Sequence, residues 1–148
     1  MPTFISHSAQ ETILFANQLA KQLKKGDILV LSGELGSGKT KFTEGLLSYF
    51  GFENEISSPT FTIVNEYDIK PVPLYHFDVY RLNDPDEFYA IGGEEYFQKG
   101  ICVIEWGEQI ESILPPNYIS ITFTKEEQNE SVRYLDFTFH GNSTLLID

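Results

Sequence analysis

Apolar residues recur along the chain with two different periods. Ile13, Ala16, Ala20 and Leu23 share one face at helical spacing and predict a helix that opens at Ser8 and ends near Lys24-Lys25-Gly26. Its start, Ser8-Ala9-Gln10-Glu11, has the capping-box form S-x-x-E, in which hydroxyl and carboxylate satisfy backbone N–H groups that the first turn leaves unbonded. Residues 27–32 form an apolar run of strand length, and Phe42, Leu46, Leu47 and Phe50 then return to helical spacing, with Gly51 as a C-terminal cap. Residues 53–58 read as an exposed loop leading into Ser58-Pro59-Thr60-Phe61. Residues 61–67 and 74–78 are predicted strands flanking a turn at Lys70-Pro71. A connection that short joins antiparallel neighbours, since a parallel crossover needs about a dozen residues.

The second half alternates the two signals again. Asp84-Pro85-Asp86-Glu87 is a helix start, with proline in the first turn and acids at the positive end of the helix dipole. Short helices are expected to run to about Gln98, interrupted at Gly92-Gly93. Ile101-Cys102-Val103-Ile104 is continuously apolar, as in a strand buried on both faces, and ends at Glu105-Trp106. Leu114-Pro115-Pro116 stops any short helix after it. Ile119, Ile121 and Phe123 alternate with polar residues, as do Leu135, Phe137 and Phe139, which predicts a hairpin joined through residues 125–131. Residues 145–147 are expected to add a last short strand.

Composition narrows the class. At 148 residues the chain is expected to form one domain, 1–148, with room for a real core. No run of eighteen apolar residues spans a membrane, and the first residues lack the basic and apolar regions of a signal peptide. A single cysteine, Cys102, sits inside an apolar run and reads as a buried small hydrophobe, so a cytoplasmic location is expected. A net charge of −12 repels phosphate backbones, so direct tRNA binding by the chain alone is not expected. Only two arginines are present, Arg81 and Arg133.

The chemistry concentrates in Gly33-Glu34-Leu35-Gly36-Ser37-Gly38-Lys39-Thr40, which fits the phosphate-binding pattern G-x-x-x-x-G-K-[ST]. Glycines let successive N–H groups turn inward around anionic oxygens, and the following helix adds its own unbonded N–H groups and dipole. Lys39 supplies a point charge for phosphates, and the Thr40 hydroxyl is a hard oxygen ligand suited to Mg²⁺. Strand, glycine loop and helix follow in the order the motif requires, which predicts a nucleotide-binding site. Such a loop needs a further acid for the metal at the end of a neighbouring buried strand. Glu105 and Asp78 are the two candidates. Thr60, beside Pro59, offers a hydroxyl for a switch-like role or simply punctuates a loop before a strand. Trp106 either stacks on a base or packs against the sheet. His76 alternates with Asp78 and shares its face. There is no Cys/His metal cluster, no G-x-S-x-G elbow and no guanine-reading N-K-x-D stretch.

Four motifs in order and spacing, Gly33 to Thr40, Ser58-Pro59-Thr60-Phe61, His76-Phe77-Asp78-Val79-Tyr80-Arg81 and Ile104-Glu105-Trp106, resemble the TsaE (YjeE) family of small bacterial P-loop ATPases needed for threonylcarbamoyladenosine in tRNA. The likeness extends over nearly the whole chain. It implies an α/β, P-loop NTPase-like three-layer fold, whose mixed central sheet carries antiparallel C-terminal strands. It also implies ATP and Mg²⁺ as ligands, and assembly with TsaD and TsaB, where TsaD performs the carbamoyl transfer. Carried over by motif, Lys39 holds phosphates together with Gly33, Leu35, Gly36, Ser37, Gly38, Thr40 and Lys41. Thr40 and Glu105 coordinate Mg²⁺, Asp78 serves hydrolysis, and Thr60 belongs to the switch-like segment. Gln10, Glu11, Thr12, Trp106 and Arg133 lie where the family approaches the nucleotide. Many members have proline after Glu-Trp, where this chain has Gly107.

Two other classes compete. A small nucleotide kinase gathers arginines around the transferred phosphoryl and closes a lid over it, against which stand two arginines and no lid insertion. A non-hydrolytic scaffold, in which ATP changes the shape while a partner does the chemistry, fits the same loop.

Overall fold

A computed structural model of the protein describes residues 2–34, 37–52, 64–70, 72–79 and 84–147, without the side chains of residues 107–109. In chain order it runs β1 (Thr3–Ser6), α1 (Ala9–Ala20), β2 (Ile28–Gly33), α2 (Lys39–Tyr49), β3 (Val64–Tyr67), β4 (Leu74–Asp78), α3 (Pro85–Ala90), α4 (Gly93–Tyr96), β5 (Ile101–Glu105), a 3₁₀ helix (Gly107–Ile113), β6 (Tyr118–Lys125) and β7 (Arg133–His140). The described strands form one seven-stranded sheet in the order β1-β7-β6-β2-β5-β4-β3. Strands β6, β2, β5 and β4 are mutually parallel, while β7 pairs antiparallel with both β6 and β1, and β3 antiparallel with β4. The antiparallel C-terminal hairpin agrees with the alternating pattern, and the mixed sheet with what the family resemblance implies.

Alternation along the strands sorts the core into two layers. Leu29 and Leu31 of β2, Val103 of β5, Ile119, Ile121 and Phe123 of β6 and Phe137 of β7 meet α1 and α2 on one face. Ile28, Val30, Cys102 and Ile104 turn to the other, against Phe88 of α3, Phe97 and Ile110. The registers Ile28↔Cys102 and Leu29↔Val103 keep the two sets apart. Helices on both faces of the sheet give the three layers. Phe42 of α2 is fully buried and meets Phe123 edge-on at 5.6 Å, fixing the helix over β6.

The helix ends obey the local chemistry. The Ser8 hydroxyl accepts the Glu11 N–H at 3.0 Å, and the Glu11 carboxylate reaches back to the N–H of His7 at 3.1 Å, one residue earlier than a capping box requires. Helix α2 closes in a Schellman turn: Gly51 N–H reaches the Ser48 carbonyl and Phe52 N–H the Leu47 carbonyl, with Gly51 at φ 93°. Asp84 caps α3 through the Asp86 N–H, with Pro85 in the first turn.

Two expectations need correction, and one element carried no sequence signal. Helix α1 stops at Ala20, short of Lys24, because Lys21, Gln22 and Leu23 donate to carbonyls three residues back and tighten the chain into turns. The element without a signal is strand β1, four residues long and, among the described strands, paired with β7 alone. Residues 145–147 form no strand, since the Gln22 side chain satisfies the backbone of Leu146 in both directions, accepting its N–H at 2.8 Å and donating to its carbonyl at 3.0 Å. Thr60, Leu35, Gly36 and Arg81 lie outside the described residues.

Candidate functional site

Among the described residues, the chemically distinctive segments end on one edge of the sheet. Strands β2, β5 and β4 deliver the glycine loop, Glu105 and Asp78 at their carboxyl ends, β1 leads into the start of α1, and β6 and β7 meet in the turn before Arg133. The crevice beyond the carboxyl ends of parallel strands is where open α/β sheets bind ligands. A cavity of about 540 Å³ lies there. The first turn of α2 (Gly38, Lys39, Thr40, Lys41) and Glu105 line it, with Ser8, Ala9 and Thr12 from the start of α1 and Glu130, Ser131 and Arg133 from the hairpin.

The loop's geometry follows from its residues. Gly38 caps α2 at φ 110°, a left-handed conformation unfavourable to a side chain, and no side chain caps the helix there. Unbonded N–H groups of the first turn therefore remain at the cavity edge. Gly33 is required sterically: a Cβ there would lie 2.6 Å from the Phe123 carbonyl oxygen and 2.9 Å from Ser37 Oγ. Ser37 is buried and its hydroxyl has no hydrogen-bond partner among the described residues.

Lys39 is only 5% exposed, an unusual position for a lysine. Its ammonium donates to the Gly33 carbonyl at 2.8 Å and lies 4.3 Å from the centroid of the Trp106 ring. Trp106 reaches that place through a left-handed backbone, φ 64°, the only non-glycine residue at positive φ among those described. For so bulky a residue this costs on the order of 1–3 kcal/mol, and such strain collects at functional sites. The ring packs against the cluster that contains Val30 and Ile104. Trp106 thus packs against the sheet and contacts the loop lysine.

The acids sit side by side. Register pairs Asp78 with Glu105, and Glu105 with Leu31 of the loop strand. Glu105 lines the cavity; Asp78, half-buried beside it, does not. His76, 2% exposed, meets Glu105 across the strands, Nε2 to Oε2 at 2.6 Å, while its Nδ1 is buried without a partner among the described residues. The sequence placed His76 on this face; only the register of β4 on β5 reveals the pairing. The candidate residues from α1 separate. Thr12 lines the cavity, its hydroxyl 2.7 Å from Ser6 Oγ, which ties β1 to the helix start. Gln10 and Glu11 are exposed and do not line it. The Glu11 carboxyl is held below the usual carboxylate range by the His7 backbone N–H and ring. Thr40 and Lys41 are exposed at the cavity edge, Lys41 3.4 Å from Glu44. Arg133 donates to the carbonyls of Val132, at 3.0 Å, and Glu130, so its guanidinium is anchored on the turn that walls the cavity. Ser8, Ala9, Glu130 and Ser131 gave no sequence signal beyond a cap and a polar loop.

Charge distinguishes the crevice. Three of the ten lysines and arginines, Lys39, Lys41 and Arg133, line it, against two acids, in a chain whose net charge is −12. The crevice thus carries a small excess of positive charge, which favours an anion there. Among the described residues no group of three or more His, Cys, Asp and Glu could hold a metal ion, and no helix is long and apolar enough to cross a membrane.

Comparison with known proteins agrees in extent and fold. A family model described as threonylcarbamoyl adenosine biosynthesis protein TsaE matches residues 6–134. The chain is 42% identical over 134 residues to the tRNA threonylcarbamoyladenosine biosynthesis protein TsaE of Bacillus subtilis, an alignment covering 90% of this chain and 82% of that protein. It is 42% identical over 119 residues to the same protein of Treponema pallidum, covering 80% and 87%. The crystal structure of Bacillus subtilis YdiB superposes with a TM-score of 0.78 at 36% identity, covering 95% of this chain and 86% of that one. The chain therefore belongs to the TsaE family, whose role lies in the biosynthesis of tRNA threonylcarbamoyladenosine.

Proposed function

We propose that the protein binds ATP with Mg²⁺ in the crevice and hydrolyses it slowly, in support of threonylcarbamoyladenosine formation at position 37 of ANN-decoding tRNAs by TsaD and TsaB. The observation that carries this is the convergence of Lys39, the unbonded first turn of α2, Glu105 and Arg133 on one 540 Å³ cavity in an otherwise acidic chain. A volume of that order accommodates a nucleotide-sized ligand.

The residues present fit both ligands. For the phosphates, the cradle is Gly33, Gly38 and the N–H groups of α2, with Lys39 as the point charge and Lys41 and Arg133 as neighbouring cations. The Ser37 hydroxyl, unpartnered among the described residues, is a further donor at the loop. For the metal, Thr40 and Glu105 are hard oxygen donors lining the same cavity. Mg²⁺ is ordinarily held by one or two protein oxygens together with substrate phosphates and water, so two such residues suffice. When bound, the ion would neutralise charge on the phosphates. Asp78, beside Glu105 but off the cavity wall, suits orientation of a water better than direct metal ligation.

Calorimetric titration of ATP against the protein and Lys39→Ala tests the site. The variant loses a charged hydrogen bond of about 2–3 kcal/mol, a 30- to 150-fold weaker Kd. Unchanged affinity would refute the assignment. Single-turnover ADP formation, with and without TsaD and TsaB, separates an ATPase from a scaffold that only binds.

A further inference from the structure

We propose that His76 is a positioning residue for Glu105, fixing the orientation in which that carboxylate serves the magnesium–nucleotide site; the inference rests on the function proposed above. His76 is 2% exposed, and its single polar contact among the described residues is the 2.6 Å bond to Glu105 Oε2. A neutral imidazole has one N–H to give. Placed on Nδ1, that proton would be buried without an acceptor, and the Nε2 lone pair would face a carboxylate oxygen. The proton therefore sits on Nε2 and is donated to Oε2. In that tautomer Nδ1 carries no proton and faces no donor among the described residues, a smaller loss than an orphaned N–H.

This bond does something no other described contact of Glu105 does. Glu105 is the last residue of β5, beyond which the chain turns through the left-handed Trp106. A glutamate there has three side-chain torsions to settle. Register places Asp78 directly alongside, so repulsion between the two carboxylates would turn Glu105 away from β4. Donation from His76, two residues before Asp78 on that same strand, draws the carboxylate back. It engages Oε2 and leaves Oε1 outside the bond. Ligating carboxylates depend on such outer hydrogen bonds, and their loss typically lowers metal affinity or activity by about 10- to 100-fold.

The measured quantity is the factor by which Mg²⁺ strengthens ATP binding: the Kd in a chelator divided by the Kd in excess Mg²⁺, for the full chain. His76→Phe keeps the ring volume and removes the donor. It is expected to reduce this factor at least about tenfold, with ATP affinity in the chelator unchanged. His76→Gln and His76→Asn guard against misfolding of the first variant. Glutamine carries its N–H about as far from the backbone as Nε2 and should retain the factor, whereas asparagine falls short and should lose it. In a Glu105→Gln background, His76→Phe should have no further effect. Equal behaviour of Gln and Asn, an unaltered factor in His76→Phe, or an undiminished effect in the Glu105→Gln background would each overturn the proposal. A normal Lys39→Ala defect alongside any of these leaves the nucleotide site standing, while magnesium-independent binding by the unaltered protein overturns both.

Discussion

Among the described residues two contacts hold the Lys39 ammonium, a backbone carbonyl and the face of Trp106, and neither matches a phosphate oxygen in charge. Binding of an anion should draw the ammonium off the ring. Trp106 is the single tryptophan, so its emission is expected to change when ATP is added and to stay constant in Lys39→Ala. An emission unaffected by saturating ATP would show that this contact persists in the complex. The neighbouring acids are predicted to divide the work. Glu105→Ala should weaken the Mg²⁺ dependence of binding, whereas Asp78→Ala should keep ATP affinity and slow ADP formation. Indistinguishable defects in the two steps would sink that division. Cys102 is a control outside the site: burial pushes its thiol up to about 12. Below that pH the thiol stays neutral, so a thiolate-directed reagent at pH 8 should modify it only as fast as the chain unfolds. At this scale the sequence was informative wherever chemistry is local. Gly33 to Thr40 declares itself by residue type, and Glu105 by ending an apolar run. The bond from His76 to Glu105 joins residues 29 apart, so no spacing rule could have announced it.

Elements were legible where pattern and cap agree, as in β2, α2, α3 and the β6–β7 hairpin. They were misjudged where a side chain replaced backbone pairing. Gln22 gives Leu146 the two hydrogen bonds a neighbouring strand would give, and an apolar triplet cannot signal that substitution. Strand β1 offered four residues with only Ser6 buried, too short for a period to show. The contact between α1 and α2 turns on Gly45, which the apolar pattern passes over. A Cβ there would lie 2.4 Å from the Ile13 carbonyl oxygen and 2.7 Å from Ala16 Cβ. Gly45→Ala gains up to about 1 kcal/mol of helix propensity, but a backbone oxygen cannot rotate aside, and overpacking costs about 1–3 kcal/mol. The variant is expected to be less stable in urea unfolding. Because α1 carries Ser8, Ala9 and Thr12 on the cavity wall, it should also bind ATP more weakly. Ser8→Ala removes only the cap, with a loss of about 1 kcal/mol in the same unfolding measurement. Stability equal to that of the unaltered chain in Gly45→Ala would mean that α1 can move away at no cost.

For the whole molecule the governing quantity is charge. At −12, with three cations in the crevice, the chain has few left to stabilise a developing negative charge on a transferred phosphoryl group. An arginine finger contributes roughly a thousandfold or more to such reactions. Arg133 lines the crevice, yet its guanidinium is tied to two carbonyls of its own turn. Redirecting it toward a phosphate would break those bonds, and a partner docking on the hairpin turn is one way to compensate. On the proposed function, the isolated protein therefore turns ATP over slowly and accelerates when TsaD and TsaB bind. The acidic surface makes a basic patch on that assembly the complementary docking site, so association should weaken as salt rises, by screening over about 8–10 Å near physiological ionic strength. Steady-state ADP release is to be followed alone, with both partners, and across a series of salt concentrations, beside Arg133→Ala. The expected result is a low basal rate, stimulation that fades with salt, and a variant that loses the stimulation. Fast turnover by the isolated chain, indifferent to partners and salt, would place the full catalytic apparatus within these 148 residues and remove the argument for completion in trans.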